Sequence, residues 1–337
     1  MINSNKKNIF IVWKIFQRRA ESLAPSFDLD VINYHYSWEE KSKTLKVLSY
    51  LFKSIMTFID LIRCRPDCVF VQLPPTPALY VVALYCSITN KKYVLDCHNA
   101  MICGWWIKWP FARYLLKKAE FVFVHNQDVS KYAADMSIIA TVLRDPLPKV
   151  PSSIGDSYLA KYGLQKKAYV LAPWNFASDE PIAEMFHAAT DMPDIKIVMT
   201  WFPERLSKEL IENKPSNVIF TGYIDVDEFN EIFANAMAAI ILTTREGTQP
   251  SGASEAIALG VPLVISDLET TRMLYKDAPM YVKNNSKSIV NGIESMCKNI
   301  KIYECNIMKL KESYQSELNA EINDVKKKLH SNKVIQM

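Results

Sequence analysis

Glycine is scarce, eight in 337 residues, and no G-x-G-x-x-G turn for a dinucleotide or G-x-x-x-x-G-K-[ST] loop for a triphosphate occurs among them. A nicotinamide-dependent enzyme and a P-loop nucleotidase are thereby set aside. No G-x-S-x-G nucleophile turn occurs either, and the five histidines (His35, His98, His125, His187, His330) are too scattered to read as a metal triad. The seven cysteines (Cys64, Cys68, Cys86, Cys97, Cys103, Cys297, Cys305) are odd in number and none has a C-x-x-C neighbour. That excludes the usual zinc and dithiol spacings and reads as reduced thiols of the cytosol. No apolar run reaches the ~20 residues that span a bilayer: Leu45 to Ile62 is broken by Lys46, Lys53 and Asp60, and Ala78 to Ile88 is short. The start, Met1-Ile2-Asn3-Ser4-Asn5-Lys6-Lys7, runs straight into Ile9-Phe10-Ile11-Val12-Trp13 without the apolar region and cleavage site of a signal peptide, so a cytoplasmic location is expected. Charge of one sign is not in large excess, since 40 basic against 36 acidic residues leave +4. Phosphate or anionic lipid would suit that balance, but it does not specify nucleic acid.

What is present describes a folded protein of enzyme size. Hydrophobic residues make up 49% and charged ones 23%, which excludes disorder and fibrous repeats, and the length suits two domains of about 150 residues. Short β-branched or aromatic runs near 8–13, 30–33, 67–72, 92–95 and 121–124 alternate with helical patterns near 18–25, 44–63, 77–88 and 109–119. Such alternation predicts βαβ units and a parallel sheet. Prolines cluster at Pro146, Pro148 and Pro151, where periodicity stops, and the rhythm restarts with strands near 168–173, 196–201, 217–221, 238–243 and 262–265. Helices are expected near 180–190, 226–237, 252–259 and 269–275. From about 287 the chain reads as one helix, with Ile307, Leu310, Tyr314, Leu318, Ile322, Val325 and Leu329 on one stripe. The expected domains are 1–148 and 149–300, with 301–337 a helix across a domain surface.

The stretch richest in chemistry is Thr243-Thr244-Arg245-Glu246-Gly247-Thr248-Gln249-Pro250-Ser251-Gly252-Ala253-Ser254-Glu255-Ala256-Ile257-Ala258-Leu259-Gly260-Val261-Pro262. It leaves an apolar strand, crosses a polar loop and opens a helix, so it lies at the carboxyl end of a strand, where α/β sheets bind ligands. With Ser251 as N-cap, the amides of Gly252, Ala253 and Ser254 would offer a diphosphate site at the positive end of the helix dipole. Arg245 brings a guanidinium fork for phosphate, Glu246 an acceptor for sugar hydroxyls, and Glu255 an acceptor for both ribose hydroxyls. The blander alternative has Ser251 and Glu255 capping the helix and Arg245 pairing with Glu246.

This string resembles the donor-binding motif of GT-B glycosyltransferases of the family-4 type, with Glu246 and Glu255 at its two glutamate positions and one residue more between them than the family's usual spacing. The resemblance implies two Rossmann-like doubly wound α/β domains facing a cleft, a nucleotide diphosphate sugar as donor, and no required metal or other cofactor. It also implies Tyr223 or Ile224, after Asn217-Val218-Ile219-Phe220-Thr221-Gly222, against the nucleotide base. The basic pair many such enzymes use for the diphosphate is missing, which leaves Arg245, Ser251 and Thr200 as candidates. Instead Trp174-Asn175-Phe176-Ala177-Ser178-Asp179-Glu180 is similar to a loop of the dolichol-pathway β-mannosyltransferases, and places Asp179 at the donor.

In the first half, Asp96-Cys97-His98-Asn99 ends a buried strand, and either Asp96 or His98 could deprotonate an acceptor hydroxyl with Asn99 beside it. Asp-x-His-Asn resembles the first-domain motif of the same families. Arg18 and Arg19 open a helix after the first strand and could hold an acceptor's pyrophosphate. Trp105, Trp106, Lys108, Trp109, Phe111 and Arg113 interleave aromatics with cations as at a bilayer headgroup region. Together these readings imply a sugar transferred to a lipid-linked or membrane-presented glycan in surface polysaccharide biosynthesis, by an enzyme peripheral on the inner face of the membrane. A nucleotide-sugar epimerase of the same architecture and a non-catalytic glycan-binding scaffold are the alternatives.

Overall fold

The computed structural model describes residues 8–334, with side chains to residue 329. Met1–Lys7, read above for a leader, lie outside the described residues, as does the side chain of His330. The chain divides into two compact units, Met1–Pro146 with Glu317–Met337, and Leu147–Ser316.

The first unit runs β1 (Asn8–Val12), α1 (Arg18–Leu23), β2 (Leu29–Asn33), α2 (Lys43–Cys64), β3 (Cys68–Leu73), α3 (Thr76–Thr89), β4 (Lys92–Cys97), α4 (Asn99–Ile102), α5 (Ala112–Lys118), β5 (Phe121–Val124), α6 (Gln127–Asp135) and β6 (Thr141–Val142). Its six parallel strands take the order β2-β1-β3-β4-β5-β6. Both faces are covered, so the central strands are apolar along most of their length rather than alternating, with the polar Gln72 and Asp96 near their carboxyl ends. Ile9, Ile11, Val69, Val71 and Leu95 pack on one side among residues of α3 and α5. Phe10, Val12, Phe70, Val94 and Phe123 pack on the other.

The second unit runs β7 (Tyr169–Ala172), α7 (Ile182–Asp191), β8 (Lys196–Met199), α8 (Lys208–Glu212), β9 (Val218–Phe220), α9 (Val226–Ala234), β10 (Ala238–Ile241), α10 (Ser251–Leu259), β11 (Leu263–Ser266), α11 (Glu269–Tyr275), β12 (Met280–Val282) and α12 (Ser286–Lys298), before α13 (Ile300–Val334). Counted from β7, its order β12-β11-β10-β7-β8-β9 is the doubly wound 6-5-4-1-2-3. Two Rossmann-like units therefore stand in one chain, as the alternation of apolar runs predicts.

Differences from the expected elements have local causes. The helix expected from 287 onward breaks at Asn299, which ends α12, and α13 begins afresh. Phe111 sits at a left-handed φ of 58°, so α5 starts at Ala112 rather than near 109. Strands β6 and β12 have two and three residues, too short for a period to show. Helix α13 is shared: Ile307 and Leu310 enter the second unit's core, whereas Leu318, Ile322 and Val325 close the aromatic face of the first unit's sheet.

Candidate functional site

In the second unit the strand order reverses between β7 and β10, and the crevice outside their carboxyl ends is where a doubly wound sheet takes a ligand. A cavity of about 190 Å³ lies there, walled by the loop after β7 (Pro173 to Glu180) and the loop after β10 (Thr243 to Gly252). Asp179 ties the two loops together. Its carboxylate accepts from Thr243 Oγ1 at 2.6 Å, and its carbonyl accepts from the Thr244 amide at 2.8 Å. Glu180 folds its own loop by accepting from the amides of Ala177 and Asn175, while Trp174 is buried with its indole N–H on the Ile240 carbonyl. Gly252 is where α10 comes close to both loops. A Cβ there would stand 2.6 Å from Ile241 Cδ1 and 3.0 Å from Pro173 Cγ.

The helix start departs from its sequence reading. Pro250 is the N-cap of α10, Ser251 takes the first helical position, and no side chain caps the helix. Proline there has no N–H to satisfy and a φ already suited to a helix entry. Gly252, Ala253 and Ser254 are buried, and the Ala253 amide turns back to the Pro250 carbonyl at 3.1 Å. Of the expected diphosphate donors, Ser251 and Gly252 line the cavity, and Ala253 and Ser254 do not. Thr200 is buried at the end of β8 and is likewise not part of that wall.

Glu246 is directed neither at Arg245 nor into the cavity. Its carboxylate accepts from the amides of Glu269 and Thr270 and from Thr270 Oγ1, at 3.1 to 3.4 Å, and so caps α11. Desolvation raises this carboxyl, but those hydrogen bonds outweigh it and hold it below the ordinary glutamate value. The cap follows from the loop's length and from Gly247 at a φ of 71°, which turns the chain toward α11. Arg245 is exposed beside it, and Glu255 is half-buried one turn into α10. Tyr223 is exposed after β9, its ring parallel to Phe202 at 6.1 Å and 11°. Trp201 joins the pair at a strained φ of 119°. Phe202 and Trp201 were not candidates from sequence, although Trp-Phe directly after a strand was a readable signal.

In the first unit the Asp-x-His-Asn motif becomes part of a buried ionic network. Arg19 reaches Asp96 through Nε (2.8 Å), Asp145 through Nη1 (2.6 Å) and the Leu143 carbonyl through Nη2 (2.8 Å). Burial lowers this guanidinium's pKa, and the two carboxylates more than reverse the effect. Arg19, expected at an acceptor's pyrophosphate, is thus spent on the fold, and Asp96, 1% exposed, is its ion-pair partner rather than an accessible base. Arg18 remains exposed. His98 sits at the N-cap of α4, its Nε2 at 3.0 Å from Gln17 Nε2 and its ring 4.6 Å from that of His125. Burial first, and His125 second, lower its pKa to about 4, so it is neutral at pH 7. Asn99, half-buried, is the next residue and opens α4.

The first unit also has a cavity at its own strand reversal, between β1 and β3. It measures about 760 Å³, within the usual range for a ligand site, and is lined by Trp13 to Phe16 after β1, by Pro74 and Pro75 after β3, and by one end of α2. Its lining includes the aromatic side chains Trp13, Tyr50 and Trp106, the cations Lys14, Lys43, Lys46 and Lys53, and the acids Glu39 and Glu40. Lys53 is buried and held by Glu39 at 2.7 Å. The segment from Trp13 to Arg19 stands where the resemblance places an acceptor loop, but residues 35–53 and 74–75 have no such signal, because strand order is what brings them to it. In the tryptophan cluster, Trp106 and Trp109 stack at 5.5 Å and pack on the core. Trp105 and Phe111 are exposed, as are Lys108 and Arg113. Among the described residues no group of three His, Cys, Asp or Glu is placed to hold a metal ion, and no helix is long and apolar enough to cross a membrane.

No family model and no curated protein matches the chain by sequence. Solved structures do match. Sucrose-phosphate synthase from Thermosynechococcus elongatus superposes with a TM-score of 0.70 at 11% identity, covering 98% of this chain and 100% of that one. HepE from Anabaena, solved in complex with UDP-glucose, gives 0.69 at 13% over 97% and 100%. UDP-GlcNAc 2-epimerase from Methanocaldococcus jannaschii gives 0.58 at 14% over 85% and 92%. At these identities the likeness establishes the fold, which is GT-B.

Proposed function

We propose that this chain is a glycosyltransferase that moves a sugar from a nucleotide diphosphate sugar to a hydroxyl of a lipid-linked or membrane-presented glycan in surface polysaccharide biosynthesis, acting at the inner face of the membrane. The observation that carries the reading is that each unit has its own cavity at a topological switch point, one small and closed by a helix start, the other larger, aromatic and basic. Two reactants need two such sites.

In this reading the donor lies on the second unit. Its diphosphate meets Ser251 and Gly252 at the positive end of α10, with Arg245 alongside, and Asp179 faces the sugar. Glu255 takes the ribose, and Phe202 with Tyr223 offers the base a flat apolar surface. HepE is solved with UDP-glucose, which favours a uridine nucleotide. The acceptor occupies the first unit's cavity, its sugar ring against Trp13, Tyr50 or Trp106 and its phosphate on Lys14, Lys43 and Lys46. When the acceptor oxygen bonds to the anomeric carbon, the bond from that carbon to the diphosphate breaks and its electron pair leaves on phosphate. That charge is stabilised by groups already in place. In this reading the hydroxyl proton passes to His98, which is neutral at pH 7 though burial makes it a weak base. His98 stands outside the cavity's wall, so the reacting hydroxyl extends from the cavity toward the end of β4. No step in this scheme requires a metal or other cofactor.

Binding of UDP, GDP, dTDP, ADP and CDP, read as thermal shift, tests the donor site. A nucleotide at a hundredfold over its Kd adds about 2.7 kcal/mol, a shift of roughly 5 °C. The expected result is a shift with one nucleotide that Glu255→Ala abolishes; no shift with any of the five would remove the donor site. Epimerised sugar released from donor alone would instead favour the epimerase to which the Methanocaldococcus likeness points.

A further inference from the structure

Helix α2 is amphipathic in the wrong sense for a helix on a water-soluble domain. Its fully buried residues are mostly polar, Ser49, Lys53, Thr57 and Asp60 beside Leu61, and Tyr50 and Phe58 pack half-buried on the core. The polar groups are satisfied inside. Lys53 pairs with Glu39, Thr57 accepts from the Trp13 indole at 3.1 Å, and Asp60 accepts from the Tyr34 hydroxyl at 2.9 Å. The outward face is apolar, with Val47 67%, Leu51 58% and Ile55 50% exposed and Leu48, Phe52 and Ile62 beside them. At 3.6 residues per turn those six lie within an arc of about 140°. An exposed apolar patch of this extent marks a surface that something covers.

Charge around the face indicates what covers it. Between Lys41 and Arg65 the chain has six cations and a single acid, Asp60, which points inward. Lys41, Lys43 and Lys46 are exposed at one end of the helix, and Arg63 and Arg65 at the other. The nearest exposed acid, Glu40, is engaged by His35 at 3.0 Å. α3 packs beside α2, and α5 beside α3. Trp105 and Phe111, which precede α5, are exposed in a segment from Met101 to Lys118 with four cations and no acid.

We infer that α2 lies in the plane of an anionic lipid surface, its six apolar side chains among the acyl chains and its terminal cations on the headgroups. The same helix walls the cavity assigned above to the acceptor, with Ile15 and Phe16 exposed at the cavity's lining, so a lipid-linked acceptor would reach that cavity from the membrane it is anchored in. In purpose the inference rests on the proposed transfer reaction, but its test does not.

Co-sedimentation with vesicles, without nucleotide, decides it. The wild-type chain is expected to pellet with equimolar phosphatidylglycerol and phosphatidylcholine, less with phosphatidylcholine alone, and less in high salt. Leu51→Asp/Ile55→Asp should lose binding to the anionic vesicles by at least about tenfold, with an unchanged circular dichroism spectrum and melting temperature, since both positions are exposed. Lys41→Glu/Arg63→Glu should weaken binding to anionic vesicles only. Equal pelleting of the aspartate variant, or no pelleting of wild type, overturns the inference. So does a wild-type dimer in analytical ultracentrifugation that the aspartate variant breaks, with no vesicle binding, which would assign the face to a second copy. A chain that binds vesicles but shifts with no nucleotide keeps this inference and loses the transferase reading.

Discussion

Arg19 shows how much one side chain can decide. A guanidinium taken out of water is stable only if its donors are met, and here two carboxylates and a carbonyl meet them. Removing it would strand Asp96 in the core, so Arg19→Ala is expected to cost about 3–5 kcal/mol, read as the urea midpoint. Arg19→Lys should recover little of that, because an ammonium cannot reach three partners through a planar fork. The same residue explains a misreading. Arg18-Arg19 at a helix start looks like an anion site in sequence, but helical geometry turns the second inward to Asp96 and leaves the first on the surface. Glu246 behaves similarly: the chain turns at Gly247 and offers its carboxylate to the open amides of α11.

Elements are placed by close approach as much as by propensity. Helix α10 comes near enough to the ends of β7 and β10 that a Cβ on Gly252 would displace the side chains of Ile241 and Pro173, and all three residues line the small cavity. Gly252→Ala should therefore cost about 1–3 kcal/mol by overpacking and weaken nucleotide binding together with stability, in thermal melts with and without ligand. The helix itself was legible, since Ser251 to Leu259 has the composition and Gly260 the left-handed stop. Its cap was not, because Pro250 and Ser251 both suit a helix entry and only the strand ends decide between them. For α2 the period was legible but not the direction. Lys46, Lys53 and Asp60 look like interruptions of an apolar run until the fold shows that Lys53 and Asp60 face inward.

At the scale of the whole chain, α13 is the element that belongs to both units. Past Ser316 it gives Leu318, Ile322 and Val325 to the aromatic face of the first sheet, and Arg144 binds Glu317 and Glu321 at 2.6 and 2.7 Å. Three buried aliphatic side chains contribute roughly 5–9 kcal/mol, comparable with the stability of a domain. Ending the chain at Ser316 should therefore unfold the first unit, seen as dye binding to exposed apolar surface and loss of its share of the melting enthalpy. The sequence alone determined the number of sheets, their parallel sense and the polar loop after β10 that opens α10, because apolar period and turn residues are local properties of the chain. Only the tertiary structure decided which charged residues are buried, which face of α2 is apolar to the outside, and that residues 13–16, 35–53 and 74–75 form one cavity. Strand order brings them together, and no local pattern encodes strand order.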